Sequence, residues 1–302
     1  MRDVGYRVLF MTGAGESGGF WLRYTSMRGI DKRKHGVWIT LFCGDKPEGL
    51  HLRYEGIKFT VNDYFEVSGP ELYFSSRDGE AYFNGKGIKW RFSIEGENKF
   101  NTIPLLLRII RRESRYILVY PYAVFDGEIV FKDKRYGFPN IRGMVGYISS
   151  KRYLHHWAWA HCSGFEEDAE GWIDLLMASP DGKRNILFGA LKYRGNIFKI
   201  GGLLGSKFDG EYGLGLFKGG CSISGGVLEF KFVGDREDII IAEYEDPIEG
   251  YRYCHNTEVG DAELLIKTRD AGEVRLSCRK RAFMETVLPS VLDEGLPRIE
   301  VL

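Results

Sequence analysis

Glutamine is absent from the 302 residues, proline is scarce at nine, and cysteine is scarcer at five. Net charge is also missing, because 42 Lys and Arg stand against 42 Asp and Glu. No apolar run approaches the ~18 residues that a membrane-spanning helix needs. The most apolar stretch, Ile103 to Ile110, is broken by Pro104 and Arg108. Each absence excludes something. A balanced charge gives no general attraction to nucleic acid or to anionic membranes. Cys43, Cys162, Cys221, Cys254 and Cys278 are odd in number and widely spaced, without a C-x-x-C pair. That argues against a disulfide framework or a zinc site and for small buried hydrophobes. The lack of glutamine beside abundant Lys, Arg and Glu leans toward a thermophilic source. Arg2, Asp3 and Arg7 interrupt any apolar leader, so a cytoplasmic location is expected.

What is present is apolar and aromatic: 44% hydrophobic residues, 14% of the chain Phe, Trp or Tyr. Such a chain can bury enough surface to offset its ordering entropy, which excludes disorder. Short runs rich in aromatic and β-branched residues recur along it, among them Phe20–Thr25, Val37–Phe42, Leu50–Tyr54 and Ile88–Ile94. Asp78-Gly79, Asn84-Gly85, Glu95-Gly96 and Asp126-Gly127 read as turns between them. The middle and the C-terminal part repeat the pattern, with Tyr116–Tyr120, Glu128–Phe131, His155–Ser163, Gly171–Ala178, Tyr251–Cys254 and Ala262–Lys267 as strands. The Gly201–Gly205 passage is the expected domain boundary. Ile103–Arg112 is a candidate short helix, and the tail from Leu288 has room for one helical turn between its prolines. An all-β protein of two successive barrels or sandwiches is expected.

The segment Tyr153–Cys162 carries the densest chemistry. On a strand, alternate residues share a face. Trp157, Trp159 and His161 therefore point one way, and His156, Ala158, Ala160 and Cys162 the other. Two indoles on one face make a flat apolar wall with N–H donors. A barrel strand of this kind could line a hydrophobic cavity with His161 as polar handle or proton donor. The same strand could equally be barrel core with a satisfied histidine. His155 and His156 point to opposite faces, so they do not chelate one ion together.

Carboxylates need burial to act as acids at neutral pH. Glu166, Glu167, Asp168 and Glu170 crowd one loop and read as solvated. Glu71 and Asp174 sit among apolar residues, and Asp174 facing a barrel lumen could stay protonated. His255 and Asn256 end a strand and suit local hydrogen bonding. Gly13, Gly15 and Gly18 match G-x-G-x-x-G, but Phe20-Trp21-Leu22 continues as strand rather than helix, so a nucleotide site fails. Phosphate-loop, nucleophile-elbow and Ser-His-Asp patterns are missing.

Glu16-Ser17, Gly19–Thr25 and Trp38 resemble the opening of the lipocalin-like proteins related to carotenoid 1,2-hydratase and tocopherol cyclase. Arg152–Phe165 resembles their central aromatic strand, and Tyr244–Pro247 with Tyr253–Glu258 a C-terminal signature of the uncharacterised branch. The similarity runs from about Glu16 to Glu285. It implies two consecutive lipocalin-like antiparallel β-barrels and a hydrophobic pocket for an isoprenoid or other lipid-like molecule. Fungal Diels–Alderase-type cyclases share this architecture. Where the family carries a polar motif before the aromatic strand, this chain reads Gly146-Tyr147-Ile148-Ser149-Ser150. The acid of the hydratase branch has no match there, which leaves Tyr147 as the nearest polar replacement.

The expectations are therefore an N-terminal unit over 1–203 and a C-terminal unit over 204–302. Trp157, Trp159, Trp38, His156 and Tyr24 would line a pocket for a hydrophobic small molecule. His161, Asp174 and Tyr147 are the candidates for proton donation if the pocket cyclises, isomerises or hydrates its occupant. A third possibility is a structural or partner-binding β protein with a packed core. Neither cofactor, metal nor nucleic-acid partner is expected.

Overall fold

The structure is a computed structural model that describes residues 5–302 except 30–32, 56–59, 63–65, 70, 76, 84–85, 97–98, 105, 107–108, 110–113, 249 and 269–271. At 60–62, 82–83 and 86 it describes the backbone alone. Asn84-Gly85 therefore lies outside the described residues. So does much of the Ile103–Arg112 segment, of which Leu106 and Ile109 have helical backbone.

The chain forms two antiparallel sheets. The first contains β1 (Gly5–Gly15), β2 (Gly18–Arg28), β3 (Arg33–Phe42), β4 (Glu48–Glu55), β5 (Thr60–Asn62), β6 (Glu66–Gly69), β7 (Leu72–Ser75), β8 (Asp78–Phe83), β9 (Lys86–Gly96), β10 (Phe100–Asn101), β11 (Arg115–Phe131) and β12 (Lys134–Ser150). The second contains β13 (His156–Ser163), β14 (Trp172–Ser179), β15 (Ile186–Tyr193), β16 (Asn196–Ile200), β17 (Ser206–Lys207), β18 (Glu211–Gly213), β19 (Leu216–Ile223), β20 (Gly226–Val233), β21 (Ile240–Glu245), β22 (Tyr251–Thr268) and β23 (Gly272–Leu288). A last strand, β24 (Glu300–Val301), returns to the first sheet and pairs parallel with β4.

In the second sheet, β14–β15 pairing closes a ring of eight strands in the order β14-β13-β23-β22-β20-β19-β16-β15. At Gly189 on β15 an added Cβ would collide with the Asp174 carbonyl oxygen, so the closing contact depends on a missing side chain. An eight-stranded ring leaves an interior that side chains can fill. Here it is filled by Ala158, Ala160 and Cys162 from β13 with Leu175, Met177, Phe217, Phe232 and Leu264. The alternation expected for Trp157–Cys162 is present, but its small-residue face is the luminal one. Trp159 packs instead with residues of the first sheet. Cys162, Cys221, Cys254 and Cys278 are buried free thiols.

Sheet membership changes between Ser150 and His156. β13 to β16 precede the Gly201–Gly205 passage yet belong to the second sheet, so limits of 1–203 and 204–302 do not follow the pairing. That passage is a turn within one barrel, with left-handed backbone at Gly201, Gly202 and Gly205. Asp126-Gly127 is likewise no turn. It sits at a bulge inside β11, which joins the two short strands read from the sequence. Tyr251–Cys254 and Ala262–Lys267 fuse in the same way into β22, through irregular pairing around Gly260. The tail forms no helical turn; it turns at Glu294-Gly295 and then enters β24.

The sheets share a buried seam. On β2, Phe20, Leu22 and Tyr24 enter the core of the first sheet, whereas Trp21 packs on the other side. β3 divides similarly, with Val37, Ile39 and Leu41 on one side and Trp38 and Phe42 on the other. Strands buried on both faces read as continuous apolar runs, which is why Val37–Phe42 shows little alternation.

A carboxyl crosses the seam. Glu258 on β22 is fully buried; its Oε2 bonds the Thr12 hydroxyl of β1, and its Oε1 accepts from Asn256 Nδ2 at 2.7 Å. The Thr12 hydroxyl also reaches the Phe20 carbonyl oxygen at 3.0 Å. A carbonyl can only accept, and the hydroxyl has one proton. When Thr12 donates to Phe20, Glu258 must supply the proton between itself and Thr12, so the neutral acid suits the site. Burial pushes its pKa well above the ordinary value. A raised folded-state pKa contributes stability that is full below the unfolded value of about 4.3 and is lost as pH rises toward the folded value. The melting temperature should therefore fall between about pH 5 and pH 8. Glu258→Gln should flatten that slope without loss of stability at pH 8, as read by thermal melts across pH. An unchanged slope would show that Glu258 is ionised in the fold.

Candidate functional site

β13 lies between β14 and β23, and its register sets the site. Trp159 pairs with Leu176 and Glu285; His161 pairs with Asp174 and Phe283. These side chains leave the barrel and face the first sheet. There, β1 presents Tyr6, Val8 and Phe10, and β2 presents Trp21 and Arg23. β11 adds Tyr116, β12 adds Ile148, and the link between the sheets adds Tyr153 and Leu154. Together with Trp157, Trp159, Leu176 and Glu285 they enclose a cavity of about 100 Å³. An apolar cavity of roughly 150 Å³ accepts benzene, whereas drug-sized sites run from about 300 to 1,000 Å³. At about 100 Å³ the cavity is smaller than that benzene site but partly open, so it suits a group no larger than about one ring.

One wall is a hydrogen-bonded cluster. The Tyr116 hydroxyl donates to Asp174 Oδ1 at 2.8 Å. Trp159 Nε1 lies 2.9 Å from the same oxygen and 2.8 Å from the Tyr116 hydroxyl. His161 Nδ1 approaches Oδ1 at 3.3 Å. Asp174 and His161 are fully buried, and neither lines the cavity. Asp174 Oδ2 and His161 Nε2 meet no hydrogen-bond partner among the described residues. His161 is stacked between Trp159 and Phe283, at ring separations of 6.2 and 5.8 Å. Burial, with Asp174 adding to it, pushes the Tyr116 phenol well above its ordinary pKa. Tyr116 is therefore a neutral donor on a residue that lines the cavity.

The opposite wall is aromatic with a charge. Tyr153 stacks on Tyr6 at 4.3 Å and on Trp157 at 5.8 Å. The Arg23 guanidinium lies 4.0 Å above the Tyr244 ring. Burial pushes the Glu285 carboxyl up, against the pull of Arg23 and of hydrogen bonds with Trp157 and Cys254.

The expected residues divide. Trp157 and Trp159 line the cavity; His161 and Asp174 stand behind Trp159 and Tyr116. Tyr147 instead faces the core of the first sheet. Tyr24 is in that core too, its hydroxyl 2.7 Å from His35 Nδ1. Trp38 borders a separate recess of about 40 Å³ and stacks on His51 at 3.4 Å. His156 is held by His155 Nδ1 at 3.0 Å and Asn185 Oδ1 at 3.1 Å, away from the cavity. Glu71 occupies an exposed turn with left-handed backbone. Sequence reasoning missed Arg23, Tyr116, Tyr153 and Glu285. A single signal was available for Arg23, a charge inside the run Phe20–Tyr24 that otherwise has no polar side chain beyond a phenol. Among the described residues, no three His, Cys, Asp or Glu side chains are grouped to hold a metal ion.

No family profile and no curated protein matches the chain. Solved structures do. Kievitone hydratase from Nectria haematococca is similar over 95% of this chain and 90% of its own, with 10% identity and a TM-score of 0.51. A candidate AttH from Nitrosomonas europaea covers 96% of this chain and 94% of its own, with 10% identity and a TM-score of 0.48. The likeness to the hydratase is one of overall all-β fold. No helix among the described residues is long and apolar enough to cross a membrane.

Removing the acceptor at the centre of the cluster should be costly. Asp174→Ala orphans the Trp159 and Tyr116 donors and should lower stability by about 3–5 kcal/mol. Asp174→Asn keeps the Oδ1 acceptor and should cost clearly less. Denaturant melts of the two variants measure the difference; equal losses would mean that the hydrogen bonds to Oδ1 do not matter.

Proposed function

We propose that the chain binds a small, largely apolar molecule in the seam between its two sheets. The observation that carries this reading is the cavity itself. Trp157, Trp159, Phe10, Val8, Ile148 and Leu176 give it apolar walls, and a few polar groups converge on it. Small-molecule sites have this composition, and they favour junctions between packed units. An isoprenoid unit or an aromatic ring suits about 100 Å³. A long lipid chain would have to leave most of its length outside.

A specific observation favours a second reading, an enzyme that protonates an unsaturated occupant. Glu285 lines the cavity beside Trp159, and burial raises its pKa. A neutral carboxyl there could transfer its proton to an alkene carbon. The carbocation would face the indoles of Trp157 and Trp159, whose π faces stabilise positive charge. Water addition with proton return to Glu285 would hydrate the alkene; proton loss from a neighbouring carbon would isomerise it. The hydratase among the structural neighbours performs a reaction of the first kind by its name. In this reading Asp174 and His161 are positioning residues, since they hold Tyr116 and Trp159 without reaching the cavity.

Filling the cavity separates binding from folding. Leu176→Trp should abolish retention of small apolar or aromatic compounds in native mass spectrometry while leaving the melting temperature within a few degrees of wild type. Wild-type protein that retains nothing, or a variant that retains as much, would overturn the binding reading. For the enzyme, Glu285→Gln should keep binding and lose turnover of any alkene that wild type converts.

A further inference from the structure

The cavity reading above leaves one group unexplained, the arginine at its edge. Arg23 sits between Leu22 and Tyr24, which point into the core of the first sheet, so its own side chain is directed into the seam. It is 5% exposed. A guanidinium stays charged in proteins, and a buried charge is costly unless it is met by hydrogen bonds or an opposite charge. The groups it hydrogen-bonds are neutral; the Glu285 carboxyl attracts it, but burial pushes that carboxyl toward its neutral form. Nε donates to Thr25 Oγ1 at 3.1 Å, Nη2 to the Tyr153 hydroxyl at 3.2 Å, and the plane rests on Tyr244. Among the described residues, no carboxylate forms an ion pair with it. Glu285 lines the same cavity and feels the Arg23 charge without forming an ion pair with it.

The donors left over converge. Among the described residues Nη1 makes no hydrogen bond, and it is not one of the buried atoms sealed away without a partner. Arg23 lines the cavity, so Nη1 is the guanidinium donor left for an occupant. The Tyr153 oxygen accepts from Arg23, which leaves its hydrogen to donate elsewhere. Tyr153 lines the cavity too, with its ring packed against Tyr6 and Trp157. A purely structural arginine would be expected to spend Nη1 on a carbonyl or a carboxylate. Here a guanidinium edge and a phenol are presented together at one end of an apolar space.

We propose that the occupant of this cavity is a small organic acid, with a ring-sized apolar body against Trp157 and Trp159 and a carboxylate bonded to Arg23 Nη1 and the Tyr153 hydroxyl. The inference rests on the cavity reading and adds the chemical class. Planar carboxylates match the guanidinium fork, and charge-assisted bonds of this kind are about twice as strong as neutral ones. Desolvated pairing also gives discrimination, because a neutral analogue leaves the buried charge without a partner.

The test is a matched pair on the full-length protein at pH 7, phenylacetate against phenylacetamide, read by calorimetry and by quenching of tryptophan fluorescence. Phenylacetate should bind at least about tenfold more tightly. Arg23→Gln should erase that preference. Leu176→Trp should abolish binding of both. Equal affinity of wild type for the two compounds would overturn the acid proposal and leave the cavity reading standing. Binding of neither would overturn both. The wild-type comparison decides the matter even if Arg23→Gln fails to fold.

Discussion

Asp174 Oδ1 gathers two donors from its own barrel and one from the facing sheet, and the seam is organised around that atom. Tyr116 comes from the first sheet; Trp159 and His161 come from the second. A carboxylate buried between two sheets is tolerated only when its hydrogen bonds are made. Meeting that demand fixes the Trp159 indole and the Tyr116 phenol, and these two side chains form one wall of the cavity. The chemistry that faces a ligand is thus set one layer behind it, by groups the ligand does not touch.

The position of the cavity follows from how the barrel is filled. A closed ring of eight strands has little interior to spare, and the one here is packed with alanine, leucine, phenylalanine and cysteine. The larger aromatics go outward instead. Trp21, Trp38, Trp159 and Trp172 all pack in the seam cluster. Large rigid rings on two facing curved sheets cannot interdigitate everywhere, and the gap they leave is rimmed by Tyr6, Phe10, Trp157 and Trp159. Seam strands therefore bury both faces, which explains a chain that is 14% aromatic without an apolar interior run long enough for a membrane helix.

Strand content, antiparallel pairing and the two faces of Trp157–Cys162 were all legible from period-two alternation and turn residues. Which face turned inward was not. Trp157 and Trp159 looked like lumen because a single barrel offers only a lumen and solvent; a second sheet supplies a third environment that no local pattern announces. The division of the chain failed for a related reason. Gly201–Gly205 has the composition of a linker, but the glycines serve left-handed turns inside one barrel. The true change of sheet, between Ser150 and His156, contains Lys151, Arg152 and Tyr153 and no breaker at all. Tyr147 and Tyr24 were misplaced by one register step, since their neighbours Ile148 and Arg23 face the cavity and they do not. Arg23, Tyr116 and Glu285 are far apart in sequence, and only the pairing of sheets brings them together.

The C-terminal tail bears on how rigid that assembly is. It leaves β23 of the second sheet and is held first by β21: Ile241 N–H donates to the Pro297 carbonyl and Ile299 N–H to the Ile241 carbonyl, at 2.9 and 3.0 Å. It then pairs with β4 of the first sheet, where Leu302 N–H donates to the His51 carbonyl and Arg53 N–H to the Leu302 carbonyl, at 3.0 and 2.9 Å. The span 297–302 thus carries backbone hydrogen bonds to both sheets. Thr12 and Glu258 make a second tie through side chains, and Lys34 with Glu245 a third at 2.6 Å nearer the surface. Sliding one sheet past the other would break all three together. A site formed between two such tied sheets keeps its shape before a ligand arrives, so little binding energy is spent on ordering it. The same ties confine any widening of the cavity to side-chain rotation, which favours a compact occupant over an extended one.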